Sequence, residues 1–170
     1  MEFAKIVLLS IAAAICYGIL HDQVTARICV EYFTVFHPPV FPTDDPTLLA
    51  LGWGVIATWW LGAFLGVVLA ISARTGHRRK VAARELVRPV LRLLAVMALS
   101  ALLCGMTGYV LTRRGMISPP VWVQGVLPQR SYSAFMADWC AHNASYAAAT
   151  VGGIVLCVMT YRKRVGAQFQ

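Results

Sequence analysis

Residues 74–92 read RTGHRRKVAARELVRPVLR, and a long apolar run flanks them on each side. Arg74, Arg78, Arg79, Lys80, Arg84, Arg88 and Arg92 stand there against a single acid, Glu85. In a soluble chain so dense a cluster points to nucleic acid. Between two segments of membrane length it marks a loop retained on the cytoplasmic side. The expected fold is therefore all-α, a polytopic integral membrane protein of four transmembrane helices, with every other segment taking its side from this loop.

The rest of the composition agrees. Of the 170 residues 59% are hydrophobic and 13% charged, and the mean hydropathy is +0.67, far from soluble averages and right for one membrane domain. The formal net charge of +8 is gathered at the ends of apolar runs rather than along a polar face. Anionic lipid head groups are then the expected counter-charge at the basic loop, and no nucleic acid is expected.

The first span is expected over about residues 4–21, with no charge after Lys5. Ala12 and Ala14 offer an alternative reading as a cleaved signal peptide. The mixed charge of Glu2 and Lys5 and the absence of a polar segment before the site favour an uncleaved helix. Residues 22–36 fit two patterns, an amphipathic helix and an alternating strand; the helix is preferred, ended by His37-Pro38-Pro39. In that helix Arg27 and Glu31 are spaced to pair.

Asp44-Asp45-Pro46 is a helix start, opening a second span over 46–72. Trp53, Trp59 and Trp60 are expected as an interfacial belt, and the small stripe Thr58, Gly62, Gly66, Ala70 as a face for a close helix–helix partner. A third span is expected over 89–111 and a fourth over 133–161, stopped by Arg162-Lys163-Arg164. Outer loops would cover 22–45 and 112–132, and the cytoplasmic loop 73–88. Eleven of the fifteen Lys and Arg then fall on the side of the termini, leaving Arg27, Arg113, Arg114 and Arg130 opposite. Both termini are read as cytoplasmic, in a bacterial-type inner membrane.

Depth arithmetic locates the chemistry. His21 lies about 24 Å along its helix from Lys5 and His142 about 30 Å from Arg162, so both reach the outer edge of a hydrocarbon layer of roughly 30 Å. Asp22 adjoins His21, and Asp138 lies one turn from His142 on the same face. Ionisable groups at the edge of a span need partners or a purpose. One reading is structural, with the acids paired to Arg27, Arg113, Arg114 or Arg130. The sharper reading is a divalent metal site for Zn, Fe or Mn, with His21, Asp22, His37, Asp138 and His142 as candidate ligands and Glu31 or Asp22 as candidate catalytic base of a metal-dependent membrane hydrolase. A b-type haem between His21 and His142 is a third reading. Ser131, Ser133 and Ser145 sit in no nucleophile-elbow pattern, and no compact metal motif or CxxC is present. Cys16, Cys104 and Cys157 are expected as small buried apolar residues, and Cys29 and Cys140, on the outer side, as a disulfide. The remaining alternative is a non-catalytic subunit or scaffold of a larger membrane complex.

Overall fold

A computed structural model describes residues 1–166, with side chains through Arg164. Seven helices follow in chain order: α1 (Glu2–Ile28), α2 (Glu31–Thr34), α3 (Pro46–Ile56), α4 (Trp59–Arg74), α5 (Ala83–Arg113), α6 (Val121–Gln124) and α7 (Tyr132–Gly166). No strand occurs among the described residues. Four stretches, α1, α3 with α4, α5, and α7 with the turn before it, are long and apolar enough to cross a membrane. They form two pairs: α1 packs on α3 and α4, and α5 runs along α7. The pairs meet through α4 and α7, while α1 touches α5 sparsely and α7 less.

Small residues set the α1–α4 seam. A Cβ built on Gly62 would stand 2.7 Å from Ala14 Cβ and 2.8 Å from the Ser10 carbonyl oxygen, and one on Gly66 2.8 Å from Ser10 Cβ. The helix that uses the small stripe is thus α1 of the same chain, at a backbone separation only glycine permits.

Helix ends follow their local chemistry. Asp45 caps α3, its Oδ1 accepting from the N–H groups of Thr47 and Leu48 at 2.9 Å, with Pro46 as the first helical residue. Glu85 reaches back to the Ala82 N–H at 3.1 Å, so α5 begins six residues before Pro89, which lies inside it. The 46–72 run is broken at Ala57–Thr58. There the Thr58 hydroxyl donates to the Gly54 carbonyl at 2.5 Å, and the Thr58 N–H turns to Val55 at 3.3 Å instead of continuing the α pattern.

The basic segments and the N-terminus share one end of the bundle. Glu2 accepts from the Ala83 N–H at 3.1 Å. Arg164, 1% exposed, donates to the carbonyls of Ser72, Thr75 and Arg79 at 2.6–2.7 Å, a guanidinium satisfied by the C-terminal carbonyls of α4 and the loop beyond. At the opposite end Ala26, Cys29, Tyr32, Phe33, Trp53, Val123 and Phe135 form a core in which the 29–45 and 114–131 segments fold over the helices. Residues 22–28 are helical, as preferred, but the helix stops at Cys29, before the Pro38-Pro39 pair. Trp53 is buried in this core while Trp59 and Trp60 are exposed, so the three indoles are not one belt.

Candidate metal centre

The α1 register carries Tyr17 and His21 on one face, with Asp22 a step round the helix, while α7 presents Asp138, His142 and Ser145 toward them. Where the helices face each other, the candidate ligand atoms of His21, Asp22 and His142 all lie within 4.8 Å of one another. His142 Nε2 stands 3.3 Å from Asp22 Oδ1. The two imidazoles meet edge to face with centroids 4.6 Å apart.

The protonation of His142 is fixed by its other nitrogen. Nδ1 lies 2.8 Å from the backbone carbonyl oxygen of Asp138, one helical turn away, and a carbonyl can only accept, so Nδ1 carries the proton. Nε2 of the neutral ring is then a lone pair facing a carboxylate oxygen. Two acceptors at 3.3 Å require something positive: a second proton on the imidazole, or a cation bound by both. Nε2 of His21 is buried with no hydrogen-bond partner at all. The pair separation also equals the ligand–ligand edge of a tetrahedron with bonds of about 2.1 Å, near 3.4 Å. Closing His21 onto the same point needs a movement of roughly 1 Å or more from its present separation.

The other candidates fall around this group rather than in it. Asp138 is fully buried, with neither carboxylate oxygen hydrogen-bonded. His37 Nδ1 donates to the Tyr32 carbonyl at 2.8 Å, which fixes Nδ1 as protonated, and its ring stacks on Phe33 and tilts against Trp53 at 4.6 Å. Burial holds its pKa below the ordinary imidazole value, partly offset by that hydrogen bond. Glu31 accepts from the Cys29 thiol at 3.5 Å. It does not meet Arg27, whose guanidinium goes to Gln23 Oε1 at 2.7 Å and Thr47 Oγ1 at 2.8 Å. Among the described residues no arginine at this end pairs with an acid, so the only basic side chain within 4 Å of a carboxylate there is His142, at Asp22.

A cavity of about 150 Å³ has His21, Asp22, His37, Trp53, His142 and Tyr146 on its walls and the Ala57–Thr58 break beside it, while Asp138 and Glu31 lie outside its lining. Sequence reasoning passed over Tyr17 and Tyr32. Tyr17 bonds Ser145 Oγ at 2.8 Å and stacks on His21, while Tyr32 stacks on His142 at 4.6 Å. Tyr17 was findable as the residue one turn before His21; Tyr32 reaches the site only through the chain reversal at Cys29. No serine bonds a histidine among the described residues, and two imidazoles in edge contact leave no gap for a macrocycle between them.

The cysteines correct two expectations. Cys29 and Cys140 are free thiols. Cys29 turns to Glu31, whereas Cys140 packs into α5, its Sγ 2.7 Å from where a Cβ on Gly108 would stand. Burial pushes the Cys29 thiol up to about 12. Cys157 is buried, but Cys16 and Cys104 lie on the outward surface, where an apolar environment outside the bundle rather than its core would receive them.

The fold and site define an all-helical protein with four helices of membrane-spanning length and a His₂–Asp group near one end. No protein-family model matches the chain, and no curated protein or solved structure is significantly similar to it.

Proposed function

We propose that this chain is a four-helix integral membrane protein, with both termini and the basic loop cytoplasmic, that binds a divalent metal ion through His21, Asp22 and His142 at its extracytoplasmic end. The observation that carries it is the His142–Asp22 contact: an imidazole nitrogen and a carboxylate oxygen held at 3.3 Å, beside a third buried group, the His21 Nε2, without a partner. Orientation rests on the shared end of Lys5, the 74–92 cluster and Arg162–Arg164, opposite the acids Asp22, Glu31, Asp44, Asp45 and Asp138.

Two imidazoles and a carboxylate leave a tetrahedral ion one open position, the pattern of catalytic rather than closed structural sites, and suit Zn, Fe or Mn. A water in that position would become a nucleophile near neutral pH, which makes a metal-dependent membrane hydrolase the activity best matched to the site. Asp22, as a ligand, is then not free to act as base. Asp138, buried, unpartnered and one helical turn from His142, takes that role in place of Glu31, whose carboxylate is engaged by the Cys29 thiol.

The test is metal retention. Purified without chelator and supplied with Zn, Fe or Mn, the wild type should keep about one ion per chain, and His142→Ala should keep none while remaining inserted, because insertion is driven by the apolar runs. Equal metal in both proteins would refute the assignment and leave the scaffold reading in its place. A cytoplasm-dependent reporter inserted near Gly76 should be active and one near Gly125 inactive; the reverse would overturn the orientation.

A further inference from the structure

The sparse contact between α1 and α5 leaves a groove of about 870 Å³ on the side of the bundle away from the α1–α4 seam. Its walls are apolar, from Leu20, Val24 and Ile28 on α1 and Leu94, Leu102 and Met106 on α5. That volume lies at the upper end of ordinary ligand pockets, roughly 300–1,000 Å³. Along α5 it runs from Leu91 to Val110, about 28 Å, close to the thickness of a hydrocarbon layer of roughly 30 Å. Its axis is that of the helices.

Asp138 and His21 interrupt the apolar walls, beside the hydroxyl residues Tyr17, Thr25 and Tyr109; Asp138 lies about level with Gly105, in the half of the groove away from the basic loop, and His21 near the middle of the α1 wall. Asp138 is 0% exposed, and neither of its oxygens has a hydrogen-bond partner. His21 lines this groove and the interior cavity alike, and its Nε2 is also unpartnered. An unpaired buried carboxyl is costly unless something meets it. Asp138 lies just beneath the groove wall, so a head group that reaches it must part the side chains covering it.

We propose that the groove is a lateral entry site for a membrane lipid, with one alkyl chain between α1 and α5 and a hydrogen-bond-donating head, hydroxyl or ammonium, at Asp138 beside His21. The inference rests on the membrane-spanning, metal-binding reading above and names the substrate class of that site: an amphiphile of the extracytoplasmic leaflet. Chain direction supports the choice. Asp138 sits in the outer half of the groove and the apolar α5 wall continues inward from there to Leu91, so a lipid enters without reorienting.

The full chain in nanodiscs containing a phosphatidylethanolamine with a diazirine in its acyl chain provides the test. After irradiation, adducts are mapped by peptide mass spectrometry. Leu20 and Leu102, in the groove, are 69% and 59% exposed, and Phe64 and Val151, outside it, 64% and 63%. Exposure alone would label them equally. The expected result is at least about five-fold enrichment at Leu20 and Leu102, as one net hydrogen bond to the head would give. Ala98→Trp, which fills the groove from an exposed position on its wall, should abolish the enrichment, and Asp138→Leu should reduce it. Even labelling of both faces, enrichment that survives Ala98→Trp, or a groove covered by a second copy of the chain and seen as protein–protein adducts would each overturn the proposal. Metal is measured on the same samples. Metal without groove labelling sinks the lipid site alone, and groove labelling without metal sinks the metal centre alone.

Discussion

Substituting Gly62→Val tests whether the α1–α4 seam holds the site in register. The first added carbon would stand 2.7 Å from Ala14 Cβ, 2.8 Å from the Ser10 carbonyl oxygen and 2.9 Å from Ile11 Cα, two of the three being backbone atoms. Carbon contacts are comfortable at about 3.5–4.0 Å, so the helices must part by roughly 1 Å. Sliding along the seam offers no escape, because Gly66 is pinned against Ser10 and Val7 and Gly54 against Ile19. Overpacking of this kind costs about 1–3 kcal/mol, and the small helix-propensity gain over glycine offsets only part, leaving a loss near 2 kcal/mol. Because α1 carries His21 and Asp22 while His142 is on α7, the displacement should also weaken metal binding, by about ten-fold if it acts as loss of outer-shell support does. Unfolding in mixed detergent–SDS micelles measures the first effect and zinc competition with a chromophoric chelator the second. Gly125→Val is the control: a Cβ there meets nothing within 4 Å, and the change should stay within about 0.5 kcal/mol. A Gly62→Val protein as stable as the control would refute the packing argument.

Arg164→Met leaves three carbonyl oxygens without their charged donor and should cost about 3 kcal/mol or more in the same unfolding assay, while a loss under about 1 kcal/mol would show that water replaces the guanidinium freely. Cys29 should resist alkylation at pH 8 in the folded protein and react after denaturation, and non-reducing mass analysis should find no Cys29–Cys140 bond; recovery of the bonded peptide would contradict the structure. For His37, a folded pKa below the unfolded value of about 6.5 means that the unfolded chain takes up the proton first. Its contribution is therefore complete above that pH and lost as the pH falls through the lowered value. His37→Phe should flatten the decline in unfolding midpoint between pH 7.5 and 5, and a wild type that gains stability over that range would reverse the sign.

Apolar run length makes the four long helices legible, and depth arithmetic from Lys5 and Arg162 puts His21 and His142 in one layer from the sequence alone. Convergence itself was not legible. It depends on which helices pair, and nothing in the spacing of Gly62 and Gly66 says that their partner is α1. The Ala57–Thr58 break lies in a run of apolar and aromatic residues with no proline; it arises from a hydroxyl competing for the Gly54 carbonyl, a contact that periodicity cannot register. Arg27 and Glu31 have ideal helical spacing, yet the helix ends between them at Cys29, so their separation along the chain ceased to predict their separation in space. Trp53 resembles Trp59 and Trp60 in sequence, and only the fold of the 29–45 segment over the helices turns it into a wall of the cavity.

The central claim is that a cation, and not merely a proton, resolves the His142–Asp22 contact. X-ray absorption at the metal edge of the zinc-loaded protein tests it most directly. The account predicts a first shell of nitrogen and oxygen at about 2.0–2.1 Å with the multiple scattering of two imidazoles, falling to one in His21→Ala. A spectrum without imidazole scattering, or one unchanged in His21→Ala, would contradict it.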